Sequence, residues 1–361
     1  MPCFSFSAPA VSPEEERRER EELGAEYQQI QDEMRGRRAL PKQLNAQVGF
    51  QCSVEDVQTE MAKMPDSEKT HLLQAMECAP SLVEKESNHL LYHANCQSHK
   101  EVTSCLATYW RLRCQIFASK AFLPMKNLAS EEKLESSTFV KVLPNDRADR
   151  PVLFFDRIEV YRATATRSAA MKHLFIALHM LCEEAEARKS GFVFIENMCG
   201  FDLYTDFDRI LTKTQMSLLR DCFPTQLRCY HLCGGIDEKW AVDLVVPVLK
   251  QIARKSIRLR MVCHTASPHD IATILDDEYM IKPSTLPRAI SGRHETVPFT
   301  NKKHSAKNQL EIQSKVHEVH VAKNHRFAQK IQSSCPLLKN TLAENWAIKN
   351  GLDCRQDALR R

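Results

Sequence analysis

The sequence predicts an α/β fold, in which an N-terminal helical unit precedes a domain with a mainly parallel β-sheet covered by helices. Short apolar runs of strand length occur at 151–156, 191–198, 228–233 and 257–264. Helical repeats of apolar residues lie between and after them, at 168–187, 208–222, 240–252 and 270–279. Strands that alternate with helices favour a parallel sheet, and its central strands are continuously apolar because both faces are covered.

Composition places the chain among ordinary globular proteins. It has 361 residues, of which 43% are hydrophobic and 27% charged, and no apolar run approaches the roughly 18 residues that span a bilayer. The start, MPCFSFSAPAVSPEEE, lacks the basic and apolar regions of a secretory signal. We therefore expect a cytoplasmic protein that is not an integral membrane protein.

Cysteine and histidine spacing does not indicate a metal site. The 14 cysteines include no C-x-x-C pair, so we interpret them as reduced thiols that pack as small hydrophobes. His317, His320 and His325 are near one another in sequence, but no carboxylate or cysteine set completes a site, and we interpret them as surface residues. We expect no metal and no cofactor.

The chain divides into four predicted regions. Residues 1–65 form a charged arm, either a solvated helix or flexible, because charge-dense runs bury little apolar area. Residues 66–125 form the helical unit, residues 135–293 the α/β domain, and residues 294–361 a basic extension that is partly helical or disordered.

Charge is concentrated at the C-terminal end. From Lys282 to Arg361 there are 15 Lys and Arg against 6 Asp and Glu, a net charge of +9, which leaves −5 of the total +4 for the rest. An anionic partner is therefore indicated. A membrane surface is favoured over nucleic acid, because no nucleic-acid-binding module is present.

Sequence motifs of the common enzyme classes are missing. Neither G-x-x-x-x-G-K-[ST] nor G-x-G-x-x-G occurs, and neither G-x-S-x-G nor H-E-x-x-H is present. No nucleophile and base can be paired, so we predict no catalytic residues and no enzyme activity.

The segment 240–252, WAVDLVVPVLKQI, does not have the single apolar stripe of a surface helix. Its apolar residues spread around almost the whole circumference. One interpretation is a fully buried core helix. The other is a helix that covers a hydrophobic cavity and can swing outward to meet a bilayer. Pro247 inside it is compatible with either.

Seven short motifs then occur in the order of one known family. They are Leu91–Asn95, Tyr109–Arg113, Arg150-Pro151-Val152, Asn197 with Gly200, Phe223-Pro224, Val246–Leu249 and Leu286–Gly292. In this order the chain resembles the CRAL-TRIO lipid-binding proteins, over residues 90–292. The resemblance implies that the domain encloses one hydrophobic lipid (a phospholipid, phosphatidylinositol or an isoprenoid-like molecule) and transfers or presents it at membranes, without covalent chemistry. In this family the 240–252 helix is the mobile gate.

The resemblance and the apolar pattern together predict three groups of residues. The lipid pocket is predicted to comprise Phe154, Phe192, Phe194, Phe201, Leu203, Trp240, Leu244, Val245, Val248 and Leu249. Candidate headgroup contacts are Glu196, Asn197 and His231, although solvated strand ends are the commoner case for polar residues at this edge of a sheet. Candidate membrane-facing basic residues are Arg254, Lys255 and Arg258.

Departures from the family pattern keep a second hypothesis open. The family's N-P before the gate is replaced by Cys233-Gly234-Gly235, and two arginines of its F-L-R-A-R motif are replaced by His93 and Asn95. We therefore assign no phosphoinositide site. The alternative is a ligand-free protein-interaction or signalling scaffold, with protein partners bound through the N- or C-terminal extensions.

Overall fold

The computed structural model describes residues 13–37, 52–88, 92, 96, 98–162, 166–184, 187, 190–202, 207–223 and 225–291. Leu203 and the C-terminal extension 294–361, which the sequence analysis singled out, lie outside the described residues.

A five-stranded sheet forms the centre of the α/β domain. Its strands lie in sequence order, β1-β2-β3-β4-β5, with β1 antiparallel to β2 and all other neighbours parallel. They are β1 (Val140–Leu143), β2 (Val152–Asp156), β3 (Phe192–Asn197), β4 (Leu227–Gly234) and β5 (Met261–Thr265). Every residue of β2, β3 and β4 is buried. The predicted fold class is confirmed.

Helices precede the sheet and connect its strands. Before the sheet come α1 (Pro13–Leu23), α2 (Ala25–Met34), α3 (Val54–Lys63), α4 (Asp66–Cys78), α5 (Pro80–Glu86), α6 (His99–Phe117) and α7 (Met125–Glu131). Within and after it come α8 (Arg157–Arg162), α9 (Arg167–Glu183), α10 (Arg209–Ser217, continued by a π-helical turn Leu218–Cys222), α11 (Lys239–Ile252), α12 (Lys255–Arg258), α13 (Pro268–Tyr279) and α14 (Arg288–Ser291). Short 3₁₀ turns occur at Ala118–Lys120, Leu134–Ser136 and Pro283–Thr285.

The two faces of the sheet bury separate apolar clusters. The first face carries Phe192, Phe194 and Tyr230, which join one cluster with apolar residues of α6, α9, α10 and α11. The second face carries Phe154, Ile195 and other residues at alternate positions, which pack against α2 and α13. Side chains alternate between faces along a strand, so strand register decides which predicted residues meet.

Buried polar contacts stabilise the helical unit, and one of them joins it to the domain. The Tyr109 hydroxyl lies 3.0 Å from His179 Nδ1 of α9. The fully buried Arg113 side chain donates to the Ala121 carbonyl at 2.7 Å and to the Glu86 carboxylate at 2.8 Å. These contacts give two residues of the Tyr109–Arg113 motif a structural role.

Three segments differ from the sequence analysis. Strand β1 precedes the apolar run at 151–156, in a segment where no strand was predicted. Residues Lys255–Arg258 form α12, so the last strand begins at Met261 rather than at 257. Helix α2, within the charged arm, is not a solvated element, because Ile30 and Met34 are buried against the second face.

Candidate functional site

Helix α11 has one apolar side in the protein and another in solvent. Ala241, Val242, Val245 and Leu249 are buried. Trp240 and Leu244 are exposed by 49% and 57%, and Val248 is half-buried. Ile236, which lies in the turn that precedes α11, is exposed by 64%. Trp240 and Leu244 are four residues apart and share the outward face of α11. We call these three exposed apolar residues the α11 stripe.

The interior beneath α11 is closed in this structure. Phe192, Phe194, Val245 and Leu249 are at most 4% exposed and belong to one apolar cluster. A void wide enough to hold water would expose the side chains that line it. Their burial therefore means that they contact other protein atoms.

Strand register separates the predicted pocket residues. Leu153 pairs with Phe194, and Phe154 pairs with Ile195, so Phe154 and Phe194 lie on opposite faces. Phe154 belongs to the cluster against α2 and α13, away from α11. Phe192, Phe194, Phe201, Val245 and Leu249 are brought together on the first face.

A buried polar network occupies the carboxyl end of β3 on the first face. Arg157 Nε donates to Glu196 Oε1, and its Nη1 and Nη2 atoms donate to Thr212 Oγ1 at 3.1 Å and Gln215 Oε1 at 2.9 Å. Gln215 Nε2 donates to Glu196 Oε2 at 2.8 Å, and the Tyr230 hydroxyl donates to the same oxygen. Both carboxylate oxygens of Glu196, a candidate headgroup contact, thus have protein donors.

Tyr230 holds its proton in this network. Burial, followed by the Glu196 carboxylate, raises the pKa of Tyr230 well above its ordinary value. Its hydroxyl is therefore a donor, which matches the acceptor role of the carboxylate. The network joins β3, β4, α8 and α10 at one point.

The other two headgroup candidates lie on the second face. Asn197 Nδ2 donates to Asp156 Oδ2 at 3.1 Å, and Asn197 Oδ1 accepts from the Cys199 backbone N–H at 3.0 Å. The second contact shapes the turn in which Gly200 adopts φ +86°, a conformation that favours glycine. Glu196 and Asn197, although adjacent, therefore point to different faces.

His231 forms a buried pair with His264. His231 Nδ1 and His264 Nε2 are 2.9 Å apart, and the Tyr279 ring packs on His231 at a centroid distance of 4.5 Å. Burial, then the neighbouring His264 and Arg150, lowers the pKa of His231 well below its ordinary value, and burial lowers that of His264 to about 4. Both rings are neutral at neutral pH.

The basic candidates differ in their surroundings. Arg254 and Lys255 are exposed, and Arg254 pairs with Asp221 at 2.8 Å. Arg258 is only partly exposed and pairs with Glu19 of α1 at 2.5 Å. It borders a cavity of about 340 Å³ between α1, α2, α11 and β5.

Other cavities lie away from the predicted pocket. One of about 890 Å³ is bordered by α7 and α9, and one of about 360 Å³ lies among α3, α4 and α5. The predicted lipid-pocket residues line none of these three cavities. In the part of the chain that the structure describes, no three His, Cys, Asp or Glu side chains are grouped to hold a metal ion.

Sequence reasoning missed four members of the polar network, Arg157, Thr212, Gln215 and Tyr230. Arg157 directly follows the end of β2, where polar residues commonly cluster in parallel sheets, so its position was a usable signal. Gln215 and Tyr230 were not identifiable, because their meeting depends on helix placement and strand register.

Comparison with known proteins bears on the α/β domain. Residues 149–295 match the family model described as "Divergent CRAL/TRIO domain". The chain carries a divergent CRAL/TRIO domain. This family is generally associated with lipid binding, and α11 lies within the matched residues.

Two further comparisons provide no information about function. The crystal structure of Sfh5 matches 74% of this chain and 100% of the Sfh5 chain, with 11% sequence identity and a TM-score of 0.35. No curated protein matches the sequence. Among the described helices, none is long and apolar enough to cross a bilayer.

Proposed function

We propose that this CRAL/TRIO protein binds one hydrophobic lipid behind helix α11 and transfers or presents it at membrane surfaces. The observation that carries the proposal is the α11 stripe, in which Ile236, Trp240 and Leu244 are exposed by 64%, 49% and 57%. Large exposed apolar side chains on a helix and on the turn before it are typical of membrane or protein contact surfaces.

Burial of the stripe in a bilayer would provide enough free energy for reversible membrane contact. Full burial of a large apolar side chain contributes about 1.5 to 3 kcal/mol, and half of that surface is already covered here. Three such residues therefore supply on the order of 3 kcal/mol. Lys255 and Arg254, which lie just beyond α11 and are exposed, would each add roughly 1 kcal/mol near anionic lipid.

Opening of α11 would then expose the first face of the sheet to the lipid. The residues that seat α11 are small or medium-sized, Ala241, Val242, Val245 and Leu249. A lipid chain that replaced them against Phe192 and Phe194 would gain about 0.8 kcal/mol per buried methylene. The same chain gains a similar amount in a bilayer, so exchange would be nearly balanced and controlled by the position of α11.

The ligand in this proposal is a phospholipid, phosphatidylinositol or an isoprenoid-like lipid, and no covalent step is involved. The proposed place of action is the cytoplasmic side of an anionic membrane, where the protein binds peripherally. Glu196 is the headgroup candidate on the same face as α11, and its carboxylate is paired with Arg157 in the closed state.

Vesicle flotation tests the membrane-contact step. Wild-type protein should float with vesicles of phosphatidylcholine and phosphatidylserine, and Leu244→Asp should reduce the bound fraction at least about tenfold, because it places a charge in the apolar stripe. Leu73→Asp is the matched control, since Leu73 is 43% exposed on α4, away from α11. Equal flotation of Leu244→Asp and wild type would contradict the proposal.

A ligand-free scaffold is the second candidate, and the closed interior favours it. The first face beneath α11 is packed, and the Arg157–Glu196 network fills the carboxyl end of β3. In that case the α11 stripe would contact a protein instead of a bilayer. The two candidates differ in whether the protein carries or acquires lipid.

A further inference from the structure

Three arginines of the CRAL/TRIO domain converge at the N-terminal ends of β4 and β5, on the second face. They are Arg150, Arg228 and Arg260, which we call the arginine cluster. Arg150 and Arg228 are each 4% exposed. The residue that faces Arg228 and Arg260 is Glu33 of α2, which lies outside the 149–295 domain. We call residues 13–37, which contain α1 and α2, the N-terminal arm.

Each arginine is positioned by groups other than the arm. Arg228 Nε donates to the Ser190 carbonyl at 2.9 Å, and Arg260 Nη1 donates to the Ser256 carbonyl at 3.1 Å. Arg150 Nε donates to Asp146 Oδ2 at 2.7 Å. Arg150 Nη2 also donates to the Tyr279 carbonyl of α13, at 3.3 Å. These contacts fix the cluster, and one guanidinium nitrogen of each arginine donates to the arm.

The arm fills the cluster with acceptor oxygens. Glu33 Oε2 accepts from Arg228 Nη1 and from Arg260 Nη2, both at 3.3 Å. Arg150 Nη1 donates to the backbone carbonyls of Glu33 and Met34 at the end of α2. A cation at a helix C-terminus is favourable, so Arg150 also stabilises α2 through its dipole.

Glu33 is an imperfect occupant. One carboxylate oxygen serves two guanidinium groups at 3.3 Å, whereas charge-assisted N–H···O bonds are ordinarily about 2.7 to 2.9 Å. Three guanidinium groups face two carboxylates, those of Asp146 and Glu33. Burial, with the charges of Arg260 and Arg150, lowers the pKa of Arg228 to about 10 despite Glu33. The cluster thus retains excess positive charge.

The attachment of the arm is limited in extent. Ile30 and Met34 are its buried apolar side chains, and α1 contributes the pair between Glu19 and Arg258. Burial of only two such side chains stabilises the attachment modestly, and the ordering of the helix offsets part of this stabilisation. Release of the arm is therefore within the range that a tightly bound ligand can drive.

We propose that the arginine cluster is a binding site for a phosphate-class oxyanion and that Glu33 occupies this site until such a ligand displaces the arm. A phosphate dianion offers several oxygens to guanidinium groups that already point toward one place, and it neutralises the excess charge more fully than one carboxylate. The phosphate comes either from a lipid headgroup or from a soluble molecule. The inference is independent of the pocket beneath α11, which lies on the other face.

The test compares full-length Glu33→Gln with wild type, using two probes. Inorganic phosphate is titrated by calorimetry, and vesicles of phosphatidylcholine with phosphatidic acid are compared with vesicles of phosphatidylcholine alone. We expect Glu33→Gln to bind at least one probe about tenfold more tightly than wild type, because its competing carboxylate is removed. A gain with inorganic phosphate indicates a soluble ligand, and a gain with phosphatidic acid vesicles alone indicates a headgroup.

Two variants control this experiment. Glu22→Gln makes the same change on an exposed face of α1, outside the cluster, and should bind both probes as wild type does. Glu33→Gln with Arg260→Met should lose the gain. The proposal is overturned if Glu33→Gln gains no affinity for either probe, or if the double variant keeps the gain.

Hydrogen exchange of the wild-type protein gives a second measurement that does not depend on the folding of a variant. Saturating inorganic phosphate, or phosphatidic acid vesicles, should accelerate amide exchange in 25–34, because the ligand releases α2. Unchanged exchange with both probes would overturn the proposal. Leu244→Asp should leave this response to inorganic phosphate intact, so failure here is distinguishable from failure of the proposed membrane contact.

Discussion

Glu196 illustrates how a polar residue at a strand end acquires a role that its position alone does not specify. It follows the apolar run Phe192–Ile195, and in a parallel sheet such a residue commonly faces a ligand. Here its charge is matched by Arg157, and both side chains are almost completely buried. Removal of one member of a buried pair is costly, so this contact holds β3, α8 and α10 together.

The His231–His264 pair predicts a pH dependence of stability. Burial lowers the pKa of His264 in the folded state to about 4, from an ordinary value of 6.5. The unfolded chain therefore binds a proton that the folded chain does not. The neutral His264 ring therefore contributes to the free energy of unfolding above about pH 6.5. This contribution, up to about 3 kcal/mol, is lost as the pH falls toward about 4.

Urea denaturation at several pH values checks this expectation. The loss in the free energy of unfolding between about pH 7 and about pH 4 should be smaller for His264→Gln than for wild type, because glutamine does not titrate. Other groups that protonate in this range contribute equally to both proteins. Parallel pH profiles for the two proteins would show that His264 is not buried as a neutral ring.

At the scale of elements, α11 approaches the sheet closely because the residue beneath it, Gly234, has no side chain. A Cβ atom on Gly234, at the end of β4, would lie 2.7 Å from Val242 Cγ2 of α11. Gly234→Ala should therefore displace α11 and accelerate amide exchange in 239–252 severalfold, since even a 1 kcal/mol loss of seating raises local opening about fivefold. Hydrogen exchange with mass spectrometry measures this directly.

Val242→Ala provides the matched control for that substitution. It removes the methyl group that the new Cβ would meet, so the double variant should recover most of the wild-type exchange rate. If Gly234→Ala exchanges like wild type, then α11 is not seated against the end of β4 as described.

Elements differ in how well the sequence predicts them. Strands β2, β3 and β4 are covered on both faces, so they are apolar throughout and are readily predicted. Strand β1 has only four residues, of which Lys141 and Val142 are exposed. Because Lys141 interrupts its apolar residues, the strand has no continuous apolar run. Helix α2 lies in the arm that was predicted to be a solvated helix or flexible. Its attachment depends on Glu33 and on two apolar side chains that contact a sheet far away in sequence, which the local sequence does not reveal.

At the scale of the whole molecule, the domain fold was predictable and the geometry of the site was not. Apolar periodicity identifies strands and helices, but it does not give the register between strands. Register places Phe154 beside Ile195 on the second face and Phe194 beside Leu153 on the first. For the same reason Glu196 and His231, both predicted near one headgroup, lie on opposite faces of the sheet.

Each face of the sheet is covered by a different helical segment. The first face is closed by α11, whose apolar stripe is in solvent, and the second face is closed in part by the N-terminal arm. Both covers are helices that bury few large side chains. We propose a lipid chain as the ligand of the apolar interior behind α11 and a phosphate as the ligand of the arginine cluster.

Native mass spectrometry of the full-length protein, purified from eukaryotic cells and then incubated with phospholipid vesicles, tests the central claim most directly. The account predicts a species heavier than the bare 41.4 kDa chain by the mass of one lipid, with that lipid recovered on extraction. Protein that remains at the bare mass, both as purified and after incubation, would contradict lipid binding behind α11 and would favour the ligand-free scaffold.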